Sequence, residues 1–143
     1  GKDHPNVASA LGGLGRALVG QGRLAEARPL HTRAREILEK ALGPDHSVVA
    51  FALLDLAELE LASHDPAAAL PLATRALELR KASKPEEQAA AQYMLARALH
   101  AEKREPERVL TLAAAAELAY RGAGPGFQPE LDEVLAWRRT LAP

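Results

Sequence analysis

Residues 4–34, HPNVASALGGLGRALVGQGRLAEARPLHTRA, are answered by residues 46–76, HSVVAFALLDLAELELASHDPAAALPLATRA. The chain repeats itself at an offset of 42, and this recurrence decides the fold. Across 4–41 against 46–83, fourteen of 38 places are identical, where chance in so Ala- and Leu-rich a chain gives roughly a tenth to a seventh. The shared residues include Val7/Val49, Ala8/Ala50, Leu11/Leu53, Leu14/Leu56, Ala27/Ala69, Pro29/Pro71, Leu30/Leu72 and the phrase Thr-Arg-Ala at 32–34 and 74–76. A looser third copy lies 39 residues further on. It sets Leu95-Ala96 against Leu56-Ala57, Ala115 against Ala76 and Glu117-Leu118 against Glu78-Leu79. Each unit of such a series buries its apolar face only against its neighbours.

Within a unit the apolar residues fall at helical spacing: Val7, Leu11, Leu14, Leu18, then Leu24, Ala27, Leu30, Ala34, Ile37, Leu38. Pro5 opens the first helix and Gln21-Gly22 divides the pair. Gly43-Pro44-Asp45 ends the unit, with Asp45 expected to cap the next helix. Pro66, Pro85 and Pro106 mark later starts. The pattern predicts helices near 5–21, 24–42, 46–63, 66–82, 86–102, 106–121 and 129–141. Pro29 and Pro71 recur inside second helices, which predicts a shared bend there. Gly122-Ala123-Gly124-Pro125-Gly126 stops the third pair. The last helix, with Leu131, Val134, Leu135, Leu141 and Trp137, reads as a lid over the exposed end of the stack, around Leu110, Leu112 and Leu118.

The expected architecture is all-α: a right-handed solenoid of three helix-turn-helix units, at 4–45, 46–84 and 85–122, the last degenerate, with a capping helix at 127–143. Gly1-Lys2-Asp3-His4-Pro5 resembles the linker Leu42-Gly43-Pro44-Asp45-His46, so a fragment of a longer protein is expected.

Composition agrees and excludes. Ala (31) and Leu (24) supply 55 of 143 residues, whereas Val, Ile and Thr together number 11, too few to build a sheet. The core must be small-sided, Leu against Ala, with helices close together. Without cysteine there is no disulfide framework, zinc knuckle or thiol nucleophile. A near-neutral balance of 18 basic and 19 acidic residues speaks against a nucleic-acid or membrane-surface binder. No apolar run approaches the ~20 residues of a membrane span, and the N-terminus is no signal peptide; a cytoplasmic protein is expected.

No motif carries catalysis. Gly12-Gly13-Leu14-Gly15 lacks the context of a phosphate loop and reads as close helix packing. The five histidines, His4, His31, His46, His64 and His100, form no ligand pair, and His4 and His46 are equivalent linker positions. The expectation is no catalytic residue, no cofactor and no metal.

The unit resembles the tetratricopeptide repeat over residues 4–121. Leu14-Gly15, Gly22, Ala27 and Ala34 fall on its small and large core positions, and recur at Leu56-Ala57, Ala69, Ala76, then Leu95-Ala96 and Ala115. The long period and the phrases HPNVASALGGLG, QGRLAEARPLHTRA and LEKALGPDHSVVA look like the kinesin-light-chain subtype. The last repeat and LDEVLAWRRTLA look like the C-terminal end of repeat-bearing bacterial serine/threonine kinases. None of a kinase's own motifs is present, so the chain would be the regulatory tail of such a signalling enzyme.

The resemblance implies a protein or peptide partner on a concave face lined by first helices. Its frame places there Ser9, Gly12, Gly13, Arg16 and Val19, then Phe51, Leu54, Asp55, Glu58 and Leu61, then Ala90, Tyr93, Met94, Arg97 and His100. The carboxylate clamp of chaperone-binding repeats is absent, since its positions read Gly12, Arg16, Asp55, Ala90 and Met94. The backbone-holding Asn of light-chain repeats is replaced by Gly13, Asp55 and Met94. What remains is an apolar strip of Phe51, Leu54, Tyr93 and Met94 flanked by Glu58, Arg97 and His100, with Phe51 and Tyr93 divided between groove contact and helix packing. The alternative role is self-association as an oligomerisation module.

Overall fold

The computed structural model describes residues 3–141. Gly1 and Lys2 of the linker-like opening, and Ala142 and Pro143 of the expected cap, lie outside the described residues. Seven α-helices follow one another: α1 Pro5–Gly20, α2 Leu24–Leu42, α3 Val49–Ala62, α4 Pro66–Leu79, α5 Pro85–Ala101, α6 Pro106–Ala123 and α7 Gln128–Thr140. A 3-10 turn, Pro125–Phe127, leads into α7. Helices pair as α1 with α2, α3 with α4 and α5 with α6, and each pair packs on the next through α2 on α3 and α4 on α5. The result is an all-helical repeat solenoid, with α7 laid on α6.

Proline sets four of the starts. Pro5, Pro66, Pro85 and Pro106 each open a helix, where the missing N–H has no intrahelical acceptor to lose. The third helix has no such proline, and the expectation for it fails in detail. It begins at Val49, and Asp45 does not cap it. Instead His46 Nδ1 accepts from the Val48 N–H at 3.1 Å, as His4 Nδ1 accepts from Asn6 N–H at 3.0 Å. His4 is thus an imidazole cap on α1, while His46 makes the same bond in the turn ahead of α3, which has no side-chain cap. The recurring Asp before each histidine turns to the second helix of the unit that follows: Asp3 pairs with Arg33 (2.5 Å) and Lys40, and Asp45 pairs with Arg75. Pro29 and Pro71 sit, exposed, inside α2 and α4 as their recurrence predicts.

The turn inside each pair also repeats. Arg23 N–H bonds to Leu18 C=O, Asp65 N–H to Glu60 C=O and Arg104 N–H to Leu99 C=O, the six-to-one bond of a Schellman stop. The motif requires a left-handed residue, supplied by Gly22 (φ 77°), His64 (φ 60°) and Lys103 (φ 57°). The third turn then carries one extra residue, Glu105, also left-handed at φ 47°. The third copy therefore runs at an offset of 39 through α5 but 40 through α6: Pro66 answers to Pro106, and Ala76 to Ala116 rather than Ala115. Ala76 and Ala116 are both fully buried, while Ala115 is half-buried.

The core is built as composition requires. Ala27, Ala50, Ala57, Ala69, Ala73, Ala76, Ala89, Ala91, Ala96, Ala98, Ala113 and Ala116 are fully buried, interleaved with Ile37, Leu53, Leu59, Leu95 and Leu99. The lid differs from expectation. Val134 and Leu131 of α7 are buried against Ala89, Tyr93, Ala116 and Tyr120. Leu112 is buried with Leu95, Leu99 and Val109, but Leu110 (53%) and Leu118 (74%) stay exposed. They lie on the opposite side of α6 from its buried stripe of Val109, Leu112, Ala113, Ala116 and Tyr120.

Candidate functional site

First helices touch one another directly, α1 with α3 and α3 with α5, whereas second helices make no comparable contact. A stack that is closer on one side than the other curves, and α1, α3 and α5 line its inner face. Hollows run along this face. One lies between α1 and α3 beside Ser9, Gly12, Phe51 and Asp55. The next is floored by Val19, His31, Leu54 and Met94 with Arg16, Asp55 and Glu58 around it. The last is closed by Glu130 and Glu133 of α7 beyond Tyr93 and Arg97.

Two ion pairs tie adjacent first helices across the face. Arg16 Nη1 donates to Asp55 Oδ2 at 2.9 Å. Arg97 grips Glu58 with both arms, Nη1 to Oε1 at 3.1 Å and Nη2 to Oε2 at 2.8 Å. Each pair is separated by 39 residues. For Arg16 and Asp55 that is one unit of 42 less about one helical turn; for Glu58 and Arg97, where the third copy runs at an offset of 39, it joins equivalent positions of the two units. Burial works to lower the Arg97 pKa, but the bonds and charge of Glu58 outweigh it and hold the guanidinium above its ordinary value. Asp55 moves the other way: burial raises its pKa against the pull of Arg16 and His31.

Beneath Asp55 lies His31 of α2. It is 1% exposed, and neither ring nitrogen has a hydrogen-bond partner. Its Nδ1 stands 3.7 Å from Asp55 Oδ2, beyond bonding distance. Burial keeps the ring's pKa below the usual histidine value; the Asp55 charge opposes this and Arg16 adds to it. The ring fits only because residue 15 is glycine. A Cβ there would stand 2.7 Å from Nε2 and 2.8 Å from Nδ1, and closer still to Cε1. The next unit has Ala57 and Ala73 in these places, both fully buried. Close packing, expected for the glycine cluster, is realised at Gly15.

The expected site residues fall as follows. Phe51 is 54% exposed on the inner face, with the guanidinium of Arg80 4.6 Å from its ring centre. Arg80 is itself buried, donating to Glu87 C=O at 2.8 Å, and burial lowers its pKa. Leu54 is half-buried and lines the second and third hollows. Tyr93 is 9% exposed. Its ring meets Trp137 edge-on at 5.6 Å and lies 5.3 Å from the Arg97 guanidinium, so most of its surface goes to packing. Burial, then Glu133, raises its pKa. Tyr120 behind it is pushed up to about 12 by burial and by Glu130 and Glu133. His100 stands apart at the α5–α6 turn, edge-on to Trp137 at 5.8 Å. The structure thus joins Leu54, Glu58, Tyr93 and Arg97 at one hollow, places Phe51 at another and sets His100 outside both.

Among the described residues no three of His, Asp and Glu converge as metal ligands, and no helix is long and apolar enough to cross a membrane.

A stack of helix pairs with a lined inner face is a non-catalytic repeat scaffold. The family model described as Tetratricopeptide repeat matches residues 6–82, more than half of the chain, and the chain belongs to that family. Such repeats mediate protein–protein interaction. No curated protein matches. A crystal structure titled as kinesin light chain nearly identical TPR-like repeats, from Podosopora anserina, superposes with a TM-score of 0.74 at 22% identity. The match covers 92% of this chain and 66% of that one, and at this identity it speaks for the fold.

Proposed function

We propose that a protein partner docks on the inner face and that Phe51, Leu54 and Glu58 carry the contact, with Tyr93 and Arg97 as its floor and His100 at its margin. The observation behind this is Phe51: an aromatic ring 54% exposed on a surface of hollows, backed by a buried guanidinium rather than by the core. Large exposed aromatics are the usual anchors of binding hot spots. The three units and lid, and a role as the C-terminal recruiting part of a cytoplasmic bacterial signalling protein such as a serine/threonine kinase, belong to the same proposal. Their support is the sequence resemblance of the last repeat and final helix.

Photo-crosslinking tests the face. Benzoylphenylalanine placed at Phe51 should crosslink a partner in extract of the source organism, and the same probe at Thr74 on α4 should not. Crosslinking from Thr74 alone would move the site to the outer surface. Pairing of copies is the second reading, favoured by exposed Leu14 on α1 and Leu110 and Leu118 on α6. Light scattering across concentrations distinguishes it.

A further inference from the structure

This inference rests on the inner-face reading and adds the chemistry of what docks there. Four carboxylates face the groove, Asp55 and Glu58 from α3 and Glu130 and Glu133 from α7, against two guanidiniums, Arg16 and Arg97. The two cations differ. Arg97 is committed: both arms hold Glu58, and Tyr93 lies against it. Arg16 is 60% exposed along its side chain and gives Asp55 a single hydrogen bond.

A second, independent observation lies under that bond. His31 lines the same hollow of about 390 Å³, is 1% exposed, and has both ring nitrogens unpartnered. A neutral imidazole has one N–H donor and one acceptor lone pair, and a carboxylate offers about four acceptor sites. The His31 N–H reaches none of these acceptors, so Arg16 supplies the one hydrogen bond that Asp55 receives. The hollow is short of donors and walled by Val19, Leu54 and Met94, which suit a methylene stem. A forked guanidinium on an aliphatic stem is the side chain with that combination.

We propose that this hollow receives an arginine of an extended, basic segment of a partner protein, which takes Asp55 over from Arg16. Arg16 is an internal stand-in for the guest and swings to solvent when the guest enters. Residue 12 leaves the room for it: a Cβ on Gly12 would stand 3.3 Å from Asp55 Oδ2 and 3.4 Å from Arg16 Nη1. Glu130 and Glu133 draw the rest of the segment along the groove, and their sign turns away a nucleic acid.

The test is fluorescence anisotropy on the whole chain with three labelled nine-residue peptides, alternating leucine with arginine, glutamine or glutamate. The arginine peptide should bind at least about tenfold tighter than the other two. Asp55→Asn should weaken it by about tenfold or more, with the helical circular-dichroism signal retained. Arg16→Ala should strengthen it by roughly two- to fivefold, because the internal competitor is gone. A structural role for the Arg16–Asp55 pair predicts the opposite sign. Should Asp55→Asn fail to fold, Arg16→Ala and Glu133→Gln carry the test. Arginine-peptide affinity that is unchanged in Asp55→Asn, or falls in Arg16→Ala, overturns the proposal, as does glutamate-peptide binding of equal strength or no binding at all. Crosslinking from Phe51 would still decide the inner-face reading separately.

Discussion

Gly15→Ala should destabilise this protein, although the same change in an open helix stabilises. Helix propensity alone favours Ala by up to about 1 kcal/mol. Here the added Cβ would stand 2.7 Å from His31 Nε2, against a ring that is 1% exposed and enclosed. Overpacking of this kind costs about 1–3 kcal/mol, so a net loss of about 1–2 kcal/mol is expected. His31→Ala removes the ring's packing, worth roughly 2 kcal/mol, but also removes a buried imidazole whose unpaired nitrogens cost about 1–3 kcal/mol. It should be near neutral. The double variant rebuilds in the first unit the pairing that Ala57 and Ala73 already make in the second. There the Cβ fills space and propensity is regained, so the two changes should couple favourably by about 2 kcal/mol. Urea melts followed at 222 nm for the parent, both singles and the double give the cycle. Gly15→Ala as stable as the parent, or additivity to within about 0.5 kcal/mol, would refute the reasoning.

Three further expectations follow. Ala69→Leu, at a position with no exposure between α3 and α4, should lower the urea midpoint by about 1–3 kcal/mol equivalent; an unchanged midpoint would count against the register. His64→Gly should stabilise by about 1 kcal/mol, because His64 holds φ 60° where the first turn uses Gly22 at φ 77°; thermal melts that do not rise would show the left-handed residue to be unstrained. Because burial lowers the His31 pKa, the folded chain binds that proton less readily than the unfolded chain. Its contribution is present above the unfolded value of 6.5 and is lost as pH falls toward the folded one. The melting temperature should therefore drop from pH 7.5 to 5.5 in the parent and drop less in His31→Ala, and equal slopes would dismiss the assignment.

The helices were legible because their punctuation is local. Proline at a first turn and a Gly or its substitute at a stop act within a few residues, and the repeat doubles the signal. Two errors share a cause. The usual preference of caps for Asp points to Asp45, but α3 starts only at Val49 with no side-chain cap, and Asp45 pairs with Arg75 instead. Ala115 was aligned at the first-helix offset, and only the extra residue Glu105 in the third turn shifts the core position to Ala116. The inner face was legible as a set of positions but not as a set of partners. Glu58 and Arg97 read as a rim; that they bond across equivalent positions, while Arg16 meets Asp55 one turn out of step, depends on helix placement that composition does not show. His31 carries a readable trace: a bulky residue where the next unit has Ala73, opposite Gly15 where the next unit has Ala57, marks a compensated exchange.

The Asp3–Arg33 and Asp45–Arg75 pairs each join the linker ahead of a unit to the second helix of the unit it enters. Such a latch leaves the joint between the first two modules to other pairs, Arg16 on Asp55 and Arg28 on Glu60. The natural increment of this chain is a block of 42 residues, and a duplicated block inserted at Leu42–Gly43 would arrive with its latch and its turn already matched. The third module obeys a different arithmetic. Its entry is held by Arg80 on Glu87 C=O and by the Gln88 amide on the Lys81 and Ser83 carbonyls, contacts that reach back into the module before it. It cannot be copied by the same cut. A block added at that cut lies ahead of the third module, which is carried along with α7 unchanged.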